Sequence, residues 1–79
     1  RSYGVEIIGK VWRALDGFCE KEEIEAKKVG EGQESYCAKL NDLFLVIVFT
    51  TVGDMRKIIT LFPTNRRATL ERFCWGLLP

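Results

Sequence analysis

The sequence predicts an α+β domain: N-terminal helices packed on a twisted antiparallel sheet of three to four strands, closed by a C-terminal helix. Three stretches lead there. Leu43-Phe44-Leu45-Val46-Ile47-Val48-Phe49 is an unbroken apolar run rich in β-branched and aromatic side chains, bounded by Asn41-Asp42 before it and Gly53-Asp54 after it. It is too short for a membrane span and has the pattern of a strand buried on both faces. Val5, Ile8, Val11, Trp12, Leu15, Phe18 and Cys19 recur at spacings of three and four, the period of an amphipathic helix. Leu70, Phe73, Cys74 and Leu77 repeat that spacing near the end of the chain.

Taken in order, the first helix is expected over residues 5–18 and ends near Gly17. Lys10, Arg13 and Asp16 lie on its outer side, where charged residues are ordinarily the solvated face. The segment 20–28, with Glu23 four residues before Lys27, has high helix propensity and reads as a second, short, exposed helix. Gly30-Glu31-Gly32-Gln33 breaks it. A strand over Tyr36 to Leu40 puts Tyr36, Ala38 and Leu40 on one face and Ser35, Cys37 and Lys39 on the other. Strands over Leu43 to Thr51 and Arg56 to Phe62 complete a meander through two tight connections. Pro63 ends the last strand, and Thr64 and Asn65, both good N-caps, start a helix over 65–75.

The 79 residues suffice for one domain, 1–79, near the lower size at which a single core can hold a fold. At 47% hydrophobic and 29% charged residues, the composition is that of an ordinary globular chain. No stretch has the length of a transmembrane helix, and Arg1-Ser2-Tyr3-Gly4 lacks a signal-peptide core. The absence of an initial methionine points to a piece of a longer protein. Cys19, Cys37 and Cys74 are far apart, and no histidine is available to complete a zinc site, so no metal is expected. In apolar contexts such cysteines behave as small buried hydrophobes, and all three are expected to be reduced thiols.

Charge divides the chain. Residues 1–34 carry six Lys/Arg against eight Asp/Glu, whereas residues 35–79 carry six against three. The sheet and last helix are thus the cationic half, and Arg56, Lys57, Arg66, Arg67 and Arg72 crowd a short span. Without histidine, the Ser-His-Asp and Cys-His mechanisms are closed. Neither G-x-G-x-x-G nor a Walker loop occurs, so no nucleotide cofactor is expected. What remains is a set of cations beside hydroxyl and amide side chains: Arg56, Lys57, Thr60, Thr64, Asn65, Arg66 and Arg67. Such a set suits a phosphodiester, whose developing charge cations stabilise. RNA brings its own nucleophile, the 2′-hydroxyl.

The run LFLVIVFTTVGDMRKIITLFPTNRRATLERF, Leu43 to Phe73, resembles the small ribonuclease toxins of the barnase, EndoU, colicin and RelE group. It is most similar to BrnT-like toxins, which share a glycine, a strand and an Arg-Arg-Ala-Thr helix entry, and to phage-borne and contact-dependent inhibition toxin domains. The resemblance implies a bacterial or phage endoribonuclease, and a chain that is a fragment or C-terminal toxin domain of a longer protein. It makes Arg56, Lys57, Thr60, Arg66 and Arg67 the catalytic candidates. Lys39, Thr64, Asn65, Arg72, Lys10 and Arg13 are the further RNA-binding candidates. Many relatives outside the RelE branch carry a histidine in the first helix, which is absent here. The resemblance also implies tRNA or mRNA as substrate, a cognate acidic antitoxin or immunity protein as partner, and action in the cytoplasm of the producing or target cell, after delivery by secretion in the latter case. A noncatalytic protein-interaction domain using the same cationic surface is the alternative.

Overall fold

The computed structural model describes residues 5–40 and 42–75. The elements are α1 (Val5–Glu20), β1 (Lys27–Gly30), β2 (Gln33–Leu40), β3 (Leu43–Val52), β4 (Met55–Thr64) and α2 (Arg67–Phe73). The strands form one sheet in the order β1-β2-β3-β4, antiparallel throughout. The α+β architecture is therefore as the sequence predicts.

β3 organises the sheet because its side chains are buried on both faces. Leu45, Ile47 and Phe49 enter one cluster with Phe18 and Leu40, against which Val11, Ala14 and Leu15 of α1 pack. Val46 and Val48 enter another with Leu70 and Cys74 of the C-terminal segment. The two helices thus cover opposite faces of the sheet, each taking one parity of the apolar run. Phe18 anchors the α1 side, with ring centroids 5.1 Å from Phe49 and 5.7 Å from Tyr36. The alternation expected for β2 holds: Tyr36 and Ala38 pack with the α1-side cluster, Cys37 with the α2-side one.

Three local expectations are corrected. The second helix over 20–28 does not form: α1 continues to Glu20, and Lys27–Gly30 becomes an edge strand pairing Lys27 with Ser35. Helix propensity in that stretch yields to tertiary gain, because pairing lets Val29 join the α2-side cluster. The glycines expected to break the helix instead turn a hairpin, with Gly32 at φ 70°. β4 does not stop before Pro63 but runs through it to Thr64. As an edge strand it has a side on which no amide hydrogen is required, and Pro is tolerated there. Finally, α2 is shorter than 65–75: Arg66 is its N-cap residue, with φ −74° and ψ 129° and no side-chain cap, while the Thr64 hydroxyl accepts a hydrogen bond from the Arg66 amide at 3.2 Å.

The expectation of three reduced thiols is also overturned, because Cys37 and Cys74 form a disulfide and Cys19 is left as an exposed free cysteine. Cys37 lies on the α2 side of β2 and Cys74 on the inward face of the C-terminal segment, so facing surfaces bring them together. The bond is one of three ties on that segment. The buried Ser35 hydroxyl donates to the Phe73 carbonyl at 2.5 Å, and Lys27 Nζ donates to the carbonyls of Glu71 and Trp75 at 2.7 and 3.2 Å. These donors satisfy carbonyls that the end of a helix leaves without intrahelical partners.

Candidate nucleic-acid interface

The register distributes the cations that crowd the sequence. Arg56 sits at the start of β4, opposite Thr51, and Thr64 at its other end, opposite Phe44. At roughly 3.3 Å per residue, about 25 Å of strand separates them. Arg56 also faces the α1 side, where its guanidinium donates to the carbonyls of Phe18, Lys21 and Glu22, the last two at 2.6 and 2.7 Å. Its Cζ stands 5.2 Å from the Phe18 ring centroid. Arg56 is the cap that closes the C-terminal end of α1, and this geometry leaves its donors committed to backbone.

At the opposite end of the sheet, candidates distant in sequence converge. Lys39 pairs with Phe44 and Phe44 with Thr64, making one cross-strand row. Two strand spacings put Lys39 and Thr64 on the order of 10 Å apart. Thr64 leads into Asn65, Arg66 and Arg67, all three exposed. On the other flank, Lys39 lines a shallow groove with Lys10 and Arg13 of α1. This groove is open because β1 pairs only as far as Lys27↔Ser35 and leaves the later residues of β2 without a neighbour on that edge. Lys10, Arg13, Lys39, Thr64, Asn65, Arg66 and Arg67 therefore border one end of the sheet.

Lys57, Thr60 and Arg72 lie along the α2 face. Lys57 is opposite Thr50 and Thr60 opposite Val48, and both are exposed. Phe62, next on that face, meets Phe73 edge-on at 5.7 Å, and the Arg72 guanidinium lies 5.2 Å from the Phe73 ring centroid. Arg67 turns to the other flank of α2, 5.4 Å from the Trp75 ring and 3.4 Å from Glu71 Oε1. That ion pair is in open solvent and binds little of the arginine's capacity to meet an anion.

The arrangement can contact a polyanion over several successive groups: a cationic end joined to a strip carrying a hydroxyl, a lysine and an arginine stacked on an aromatic pair. Among the described residues no group of histidine, cysteine or acidic side chains could hold a metal ion, and no helix is long and apolar enough to cross a membrane. Sequence reasoning missed Lys27 and Ser35, whose roles come from α2 lying across β1 and β2.

A different surface adjoins the α1 side of β4. Ile8 and Trp12, expected to face the core, are 49% and 63% exposed, and Ile58 and Leu61 of β4 are exposed as well. Among the described side chains of α1, Val11, Ala14, Leu15 and Phe18 pack into the core, whereas Ile8 and Trp12 stay exposed. The edge of β4 is itself blunted by Pro63 and by a register shift at Val48/Phe49, both common guards against edge pairing. In comparison with known proteins, the chain matches no family model, no curated protein and no solved structure.

Proposed function

We propose that the domain is a metal-independent endoribonuclease of toxin type that grips tRNA or mRNA at the cationic end of its sheet. The supporting observation is the cross-strand row Lys39–Phe44–Thr64, which joins β2 to the β4–α2 junction, while the groove beside Lys39 adds Lys10 and Arg13 of α1. In this reading Arg66 and Arg67 neutralise the scissile phosphate, Thr64 and Asn65 donate hydrogen bonds to it, and Thr60, which lies about 13 Å from Thr64 along β4, holds the flanking RNA strand with Lys10, Arg13, Lys39, Lys57 and Arg72. The RNA 2′-oxygen attacks the adjacent phosphorus, the 5′-oxygen departs, and the proton of the 2′-hydroxyl passes through solvent to the leaving oxygen. The products are a 2′,3′-cyclic phosphate and a 5′-hydroxyl. Cations that offset charge on the nonbridging oxygens and fix the in-line geometry lower the barrier. Arg56 takes no part in this reading because its donors cap α1.

The cytoplasm of the producing or target cell is the proposed place of action, and an acidic antitoxin or immunity protein the proposed regulator, since it complements the same cations. A second reading, a noncatalytic interaction domain, is favoured by the exposed Ile8 and Trp12 of α1 and Ile58 and Leu61 of β4, apolar side chains that RNA cleavage does not use. Incubating labelled tRNA and mRNA with the domain in EDTA separates the two. Cyclic-phosphate ends support cleavage, and intact RNA at micromolar protein leaves the interaction reading.

A further inference from the structure

We propose that the Cys37–Cys74 disulfide is a redox latch that decides whether α2 stays docked on the sheet. The consequence for RNA rests on the reading above; the latch itself does not. α2 spans only Arg67–Phe73, well under the roughly 12 to 15 residues at which a helix is even marginal alone in water. Its order therefore comes from tertiary ties: Leu70 is buried with Val46 and Val48, and the covalent and hydrogen-bonded ties are concentrated at one end. The disulfide at Cys74, the Ser35 bond to Phe73 and the Lys27 bonds to Glu71 and Trp75 all hold the last turn and the residues just after it. Cutting the covalent tie weakens the end on which the others depend.

The effect is local because the sheet has two separate cores. Phe18, Leu40, Leu45, Ile47 and Phe49 pack with α1 on one face and make no use of α2. The cluster of Val46, Val48, Leu70 and Cys74 lies on the other. Undocking α2 opens the second cluster and leaves the first intact. The chemistry needs a dithiol reductant. Cys74 is fully buried, whereas Cys37 is half-buried, so the attacking thiolate reaches the Cys37 sulfur and expels the Cys74 thiolate. The second thiol of the reductant then resolves the mixed disulfide, releasing the Cys37 thiol and leaving the reductant as a disulfide. Cys74 takes up a proton, and two electrons have passed to the protein. Arg67 and Arg72 move with the released helix, and Arg66 loses its fixed position at the helix start. In a reducing cytoplasm the RNA-binding end of the domain lasts as long as the bond does.

The test is hydrogen exchange of the chain, oxidised and after dithiothreitol, read with the affinity of each form for a labelled single-stranded oligoribonucleotide. Reduction is expected to speed amide exchange in residues 67–75 at least tenfold more than that of Leu45, Ile47 and the α1 amides, which stay protected, and to weaken RNA binding about tenfold. Reoxidation restores both. Cys37→Ser/Cys74→Ser should behave as the reduced form, and Cys19→Ser should respond as the unmodified chain. Should the double variant fail to fold, the reduction of the unmodified chain decides alone. Exchange in residues 67–75 that is equal in the two redox states overturns the latch, as does loss of protection throughout the chain. Exchange that changes as expected while neither form binds RNA upholds the latch and defeats the RNA reading.

Discussion

Arg56 donates to the carbonyl oxygen of Phe18 while its guanidinium lies over the ring of that same residue, with Cζ 5.2 Å from the centroid. One side chain on the edge strand thereby closes the end of α1 and covers a buried aromatic of the α1-side core. Further bonds to Lys21 and Glu22 fix the path of the chain as it leaves the helix. Arg56→Ala should lower stability by about 1–3 kcal/mol, the cost of leaving the part-buried Phe18 carbonyl without its donor. Lys57→Ala, next to it but exposed, should cost within about 0.5 kcal/mol. Urea unfolding of the two variants checks this; equal midpoints would return Arg56 to the surface charges.

Ser35 is the only buried polar residue among those described, and its hydroxyl is spent on Phe73. Ser35→Ala should cost about 1–3 kcal/mol, since it orphans a carbonyl at the end of α2. The loss should show first as faster amide exchange in residues 67–75, ahead of α1. A uniform change across the chain would mean that the bond serves the whole fold and not the helix.

The disulfide closes a separation of 37 residues. Constraint of the unfolded chain by a loop of that size is worth roughly 4 kcal/mol. The non-reduced mass should be lower than that of the reduced chain by two hydrogens, and a single thiol, Cys19, should react with an alkylating reagent. Three reactive thiols in the folded, unreduced protein would contradict the bond.

Much of the fold is legible because β3 carries its own instructions: a run buried on both parities demands a layer on each face, and amphipathic helices at either end supply them. The 20–28 segment is not legible, since Glu23 and Lys27 favour a local helix while the pairing of Lys27 with Ser35 depends on a strand that lies further along the chain. The disulfide is half visible. Periodicity assigns Cys37 to one strand face and Cys74 to the inner face of the last helix, but nothing local states that these surfaces meet. Proximity in sequence misleads about the cationic site: it joins Arg56 to Arg66, whereas the hairpin register sends them to opposite ends of β4 and brings Lys39 beside Thr64 instead.

The last prediction concerns the RNA surface and uses that separation. Alanine at Arg66 should lower cleavage of labelled tRNA or mRNA by about two to three orders of magnitude, the usual loss when one preorganised donor to a developing oxyanion is removed. Alanine at Lys39 or Arg72 should act on binding, weakening the complex and reducing the salt slope by about 0.7 for each single-strand phosphate no longer neutralised. Thr60→Val, which keeps the strand but removes the hydroxyl, distinguishes a hydrogen bond to phosphate from a strand filler. Lys21→Ala is the suitable control, because Lys21 is exposed and its bonds are made by backbone alone, its carbonyl accepting from Arg56 and its amide donating to Gly17. Lys27→Ala is not, because Lys27 holds the end of α2 and would disturb the interface indirectly. A deficit in Arg56→Ala that stability accounts for, beside a deficit in Arg66→Ala that it does not, would locate the chemistry at the Thr64 end. Equal cleavage by all variants would trace the activity to a contaminating nuclease.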